Sequence, residues 1–123
     1  MPTEQEVSQF LNDVKAAIRL GYVHWIDRAD SKKAPLSGLK ISVDQALHYL
    51  MALTAEDYCR GPDPDDFKPD REVWCFGCNV VGVDAYIKLA LQPDSRRRTV
   101  VYVYIWAFHK AEYPLTYPLR GKP

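Results

Sequence analysis

The chain has 123 residues, 47% of them hydrophobic, and its 16 basic side chains balance 16 acidic ones. That length suits a single domain, residues 1–123, around one hydrophobic core, and that composition excludes the disordered and fibrous classes. No apolar run approaches the roughly 20 residues that cross a bilayer, and the opening MPTEQEVSQF lacks the basic-then-apolar pattern of a secretory leader, so a cytoplasmic protein with no membrane partner is expected.

Thr3 and Glu6 have capping-box spacing, and Val7, Phe10, Leu11, Val14, Ala17 and Ile18 recur at helical period, which predicts a first helix closing at Gly21. Tyr22 to Arg28 is short and aromatic, either a brief strand or an extended connector, and Ala29 to Lys40, with Pro35 and Gly38 inside it, reads as loop. Ser42 caps a second helix with an apolar stripe of Val43, Ala46, Leu47, Leu50 and Met51, beside which His48 is an ordinary helix histidine. Thr54 is positioned to cap a short helical turn over Leu53 to Tyr58. The acidic, proline-rich run from Gly61 to Asp66 fits neither a helix nor a central strand and reads as the loop that delivers the chain to a sheet.

From Arg71 to His109 the periodicity changes from helical to strand-like. Three β-rich runs, REVWCFGCNV, DAYIKLAL and TVVYVYIWAFH, meander through Val81-Gly82-Val83 and Gln92-Pro93-Asp94-Ser95. The expected fold class is therefore α+β, two main helices packed on one face of a small antiparallel β-sheet. On the second run alternation turns Ala85, Ile87, Leu89 and Leu91 inward and leaves Tyr86, Lys88 and Ala90 on the other face. On the third, Tyr102, Tyr104, Trp106 and Phe108 share one face and Val101, Val103, Ile105 and Ala107 the other, the mark of a strand covered on both sides.

Cys75-Phe76-Gly77-Cys78 is the most conspicuous local motif, yet no second cysteine pair exists to complete a zinc site, and three cysteines without an export signal argue for reduced thiols. Residues three apart on a strand point to opposite faces, so no metal and no disulfide is expected there. Tyr86 and Lys88 put a phenol and an ammonium on one face, and His109 ends the last strand with a group able to give or take a proton near neutrality. From Arg71 onward 8 basic residues meet only 4 acidic ones, a modest pointer to a polyanionic ligand on the sheet half.

Glu56-Asp57-Tyr58, Gly61-Pro62, Trp74-Cys75-Phe76-Gly77, Gly82, Tyr86-Ile87-Lys88-Leu89, Phe108-His109, Ala111-Glu112, Pro114 and Tyr117-Pro118 together, in this order and spacing, resemble the MqsR family of bacterial toxin–antitoxin toxins. The likeness covers roughly Thr54 to Leu119; the first half agrees only in its order of elements. It implies a RelE-like fold and an mRNA interferase, an endoribonuclease and hydrolase of single-stranded mRNA that needs no metal or other cofactor. The implied protein partner is a cognate antitoxin, which in such systems can carry a helix-turn-helix DNA-binding domain.

Carried over by position, the resemblance makes Tyr86 and Lys88 members of the family's Tyr-x-Lys strand, with the tyrosine implicated in catalysis. It sets Arg60 where the founding member has a functional lysine, and His109 where it has another and a large subgroup has histidine. Cys75 replaces a functional glutamine, so that role is not inherited. The expected chemistry is attack of a 2′-hydroxyl on the adjacent phosphate. It needs a base, an acid and cations, for which His109, Tyr86, Lys88 and Arg60 are the candidates. Lys88, Arg60 and Trp74, or Trp106 if exposed, are the candidates for RNA contact. The alternative is a non-catalytic RNA- or protein-binding module on the same scaffold.

Overall fold

The computed structural model describes residues 1–26, 36–65, 68 and 70–121. Helix α1 spans Glu4–Arg19 and starts on the expected capping box: the Thr3 side chain accepts from the Glu6 amide and the Glu6 carboxylate accepts from the Thr3 amide. Its Val7, Phe10, Leu11, Val14 and Ala17 are buried, and Gly21 takes the positive φ of 79° that turns the chain away. Strand β1 follows at Val23–Trp25, which settles the first ambiguity in favour of a brief strand. The expected loop from Ala29 to Lys40 lies largely outside the described residues. Helix α2, Val43–Met51, is capped reciprocally by Ser42 and Gln45 and buries Ala46 and Leu50, whereas Val43 and His48 are exposed.

A 3-10 turn, Ala55–Asp57, is capped by Thr54 as its sequence predicts. Four strands follow: β2 Tyr58–Pro64, β3 Glu72–Val80, β4 Val83–Pro93 and β5 Val101–Lys110. They form one sheet in the order β1-β5-β4-β3-β2. The expected antiparallel meander β3-β4-β5 is its middle, but the sheet is mixed, because β1 pairs parallel to β5. The stretch expected to be a loop from Gly61 is, as far as Pro64, an edge strand; Pro62 and Pro64 are tolerated there because an edge leaves one row of backbone groups unpaired. Asp66 lies outside the described residues.

Both helices cover one face of the sheet, where Phe76, Ile87, Leu89, Val103, Ile105 and Phe108 join α1 and α2 in a single core. No helix among the described residues is long and apolar enough to cross a membrane. The two-residue turn Val81-Gly82 has positive φ at both positions, 49° and 83°, the geometry that matches strand twist in a tight hairpin.

Three register shifts interrupt the ladders, one of them between Arg60 and Asp63, and the other two decide which side chains reach the face of Tyr86. Tyr58 pairs with Phe76 and Arg60 with Cys75, so Cys59 is an extra residue in β2. Leu89 pairs with Ile105 and Lys88 with Ala107, so Trp106 is an extra residue in β5. Simple alternation would put Phe108 with Tyr102 and Tyr104; instead the bulge carries Phe108 into the core, 1% exposed, and turns His109 to the opposite face. The β2 bulge does the same for Arg60, which leaves the core face that Tyr58 occupies.

Candidate active site

The sheet face away from the helices carries Tyr86, Lys88 and, after the bulges, Arg60 and His109. Tyr86 and His109 are direct partners across β4 and β5, with ring centroids 5.6 Å apart. They line, with Arg60, a cavity of about 400 Å³ whose other wall is the segment after β5: Ala111, Glu112, Tyr113 and Leu115. That segment lies over β3 at Gly77, where a Cβ would stand 2.5 Å from both Leu115 Cδ1 and the Tyr117 hydroxyl. Arg120 anchors its end, stacking on Tyr117 at 3.8 Å and pairing with Asp57 at 3.0 Å.

The hydrogen bonding of each candidate restricts what it can do. His109 Nδ1 lies 2.9 Å from the Lys110 carbonyl oxygen, which can only accept. The neutral imidazole therefore carries its proton on Nδ1 and leaves the Nε2 lone pair available as a base. The Tyr86 hydroxyl is 3.2 Å from the Cys75 sulfur. Burial, that hydrogen bond and the adjoining sulfur raise the Tyr86 pKa, against a smaller opposing effect of Arg60. Tyr86 is thus a neutral phenol at neutral pH, a proton donor rather than a base. Arg60 reaches toward the Cys75 sulfur at 3.9 Å and holds Asp63 at 3.1 Å, with 68% of its side chain exposed. Its cation is accessible from the cavity.

Lys88 shares the face but not the cavity lining; it sits two ladder positions from Tyr86, between Cys75 and Ala107. Trp74 is a correction. It points into the core, is 8% exposed, and stacks on Phe10 with centroids 4.5 Å apart. A ring already covered on the helix side of the sheet offers no face to a base on the other side, so Trp74 leaves the RNA-contact set. Trp106, at the β5 bulge, is on the open face and partly exposed.

The two cysteines of the CxxC motif diverge: Cys75 meets Tyr86 on the open face and Cys78 packs against the core. Burial pushes the Cys78 thiol up to about 11 and, with the neighbouring Cys75 sulfur, the Cys59 thiol up to about 12. Glu112 and Tyr113 are site-lining residues that the sequence reading did not assign. Ala111-Glu112 stood within the resemblance, but with no strand or helix period to place it, the sequence held no signal of where it would fold back. Comparison with protein-family models, with curated proteins and with solved structures finds no match for this chain.

Proposed function

We propose that the protein is an mRNA interferase of toxin–antitoxin type, a RelE-like and MqsR-like endoribonuclease that cleaves single-stranded RNA through its own 2′-hydroxyl. The observation that carries this reading is the convergence of a lone-pair imidazole, a neutral phenol and an accessible guanidinium on one cavity, at His109, Tyr86 and Arg60.

His109 Nε2 takes the proton of the 2′-hydroxyl, O2′ bonds to phosphorus, and the P–O5′ bond breaks. The Tyr86 hydroxyl supplies the proton that the leaving O5′ requires, and Arg60 offsets the charge that builds on the phosphoryl oxygens. The products are a 2′,3′-cyclic phosphate and a free 5′-hydroxyl. Lys88, two residues along the strand from Tyr86, holds a neighbouring phosphate.

The test is a single-turnover assay with a single-stranded RNA in excess EDTA, with the product ends identified. The expected result is cleavage to a cyclic phosphate and a loss on the order of 10² to 10⁴ in rate for His109→Ala, with RNA binding kept. Binding without cleavage by the parent protein would make it the non-catalytic module instead.

A further inference from the structure

The open face continues well past the cavity. Along β4 the same-face positions after Tyr86 and Lys88 are Ala90 and Gln92, opposite Tyr104 and Tyr102 on β5. Since a strand advances about 3.3 Å per residue, Tyr102 lies roughly 20 Å from the Tyr86–His109 pair. There, β1 adds His24, which is exposed, while its neighbours Val23 and Trp25 pack against the core. The His24 ring stands 4.7 Å from the Tyr102 ring and 5.3 Å from that of Tyr104.

Arg71 fixes this group from the same cleft. Its guanidinium lies over the Tyr104 ring at 5.0 Å and the Trp106 ring at 5.7 Å, while Asp65 and Gln92 hold its nitrogens at 3.4 and 2.8 Å. With its charge matched by a nearly buried carboxylate, Arg71 positions the aromatic rings and is not itself a free phosphate ligand. Further cations are next door. A cleft of about 320 Å³ runs from His24, Tyr102 and Tyr104 to Asp94 and Ser95, and the exposed Arg96, Arg97 and Arg98 follow directly. Asp94 holds that turn in shape by accepting from the Arg96 and Arg97 amides at 2.8 and 3.0 Å.

We infer that this end of the open face is a second RNA subsite, in which His24 and Tyr102 stack on a nucleobase and the Arg96–Arg98 turn grips its phosphates. The inference rests on the ribonuclease reading and adds to it: the site would hold a strand several nucleotides long, running from the cleaved bond at His109 to the β4–β5 turn. Partly exposed aromatic rings set beside an exposed cluster of arginines is the combination that single-stranded nucleic acids meet in binding grooves, rings for bases and cations for the backbone.

The test compares a dinucleotide with a single strand on the order of ten nucleotides, both bound to His109→Ala protein so that cleavage is slow on the timescale of binding. His24→Ala and Tyr102→Ala should each raise the Kd of the long strand by roughly 5- to 150-fold and leave the dinucleotide unaffected. Tyr102→Phe, which keeps the ring, should bind like the parent, and an unchanged melting temperature for exposed His24→Ala guards against a folding artefact. Replacing the three arginines with alanine should flatten the dependence of log K on log salt by about 0.7 for each lost phosphate contact. A parent protein that binds the long strand while His24→Ala and Tyr102→Ala bind it equally well overturns the subsite alone and leaves the patch to a protein contact. A parent that binds neither oligonucleotide overturns the ribonuclease reading, and the subsite with it.

Discussion

Tyr86 and His109 are ladder partners on β4 and β5 with ring centroids 5.6 Å apart, and they share a face because Trp106 is an extra residue in β5. The pair sets a phenol that keeps its proton at neutral pH beside an imidazole whose Nε2 can accept. Tyr86→Phe keeps the ring and its packing and removes only the hydroxyl. If that hydroxyl protonates the leaving oxygen, single-turnover cleavage should fall on the order of 10² to 10⁴, with RNA affinity nearly unchanged. A variant that cleaves at the parent rate would restrict Tyr86 to shaping the cavity.

Trp74 should behave as a core residue. It is 8% exposed, stacked on Phe10 and edge-on to Tyr58 with centroids 6.3 Å apart. Trp74→Ala should cost about 3–5 kcal/mol of stability, readable by denaturant unfolding, because truncating a buried indole loses its contacts and leaves a void. The fraction that remains folded should bind RNA as the parent does. Equal stability with lost RNA affinity would restore Trp74 to the interface.

Helical period and capping made both helices legible, down to the Thr3–Glu6 and Ser42–Gln45 pairs, and the period of two made the β3-β4-β5 meander legible. What alternation cannot report is its own interruption. Read strictly, residues 106 and 108 share a face, as do 58 and 60, yet single bulges at Trp106 and Cys59 reverse both relations. Those reversals are what bring His109 and Arg60 to Tyr86. The parallel pairing of β1 was hidden for another reason: three residues are too few to show a period, and their partner in β5 is remote in sequence.

The cysteines give the protein an alkaline limit. Burial pushes the Cys59 thiol up to about 12 and Cys78 up to about 11, and the Tyr86 phenol is raised too. In each case the folded state keeps a proton that the unfolded chain releases more readily. The stability this gives is fully present below the ordinary thiol and phenol pKa values and is lost as pH rises through the raised ones. Thermal unfolding should therefore be insensitive to these three groups from neutral pH to about 8 and should weaken progressively above about 9. At neutral pH Cys59 and Cys78 should alkylate roughly tenfold or more slowly than in the unfolded chain, since the thiolate is the reactive form. Rapid native-state labelling of both by iodoacetamide, followed by peptide mapping, would contradict this.

Arg60 and Lys88 share a charge and a sheet face but should separate in kinetics. Arg60 lines the cavity with Tyr86 and His109, whereas Lys88 lies outside it, two ladder positions from Tyr86. A cation at the reacting phosphate meets charge that grows in the transition state, so Arg60→Ala should lower the single-turnover rate as well as affinity. A cation at a neighbouring phosphate meets the same charge before and during reaction, so Lys88→Ala should weaken binding and leave the saturated rate nearly intact. Each variant should reduce the salt dependence of log K by about 0.7 if each residue holds one phosphate. Arg60→Lys tests geometry as well: a lysine is a point charge without the planar fork, and it should recover binding more fully than rate. Should Lys88→Ala lose rate and Arg60→Ala lose only binding, the reacting phosphate would sit over β4 rather than in the cavity beside His109.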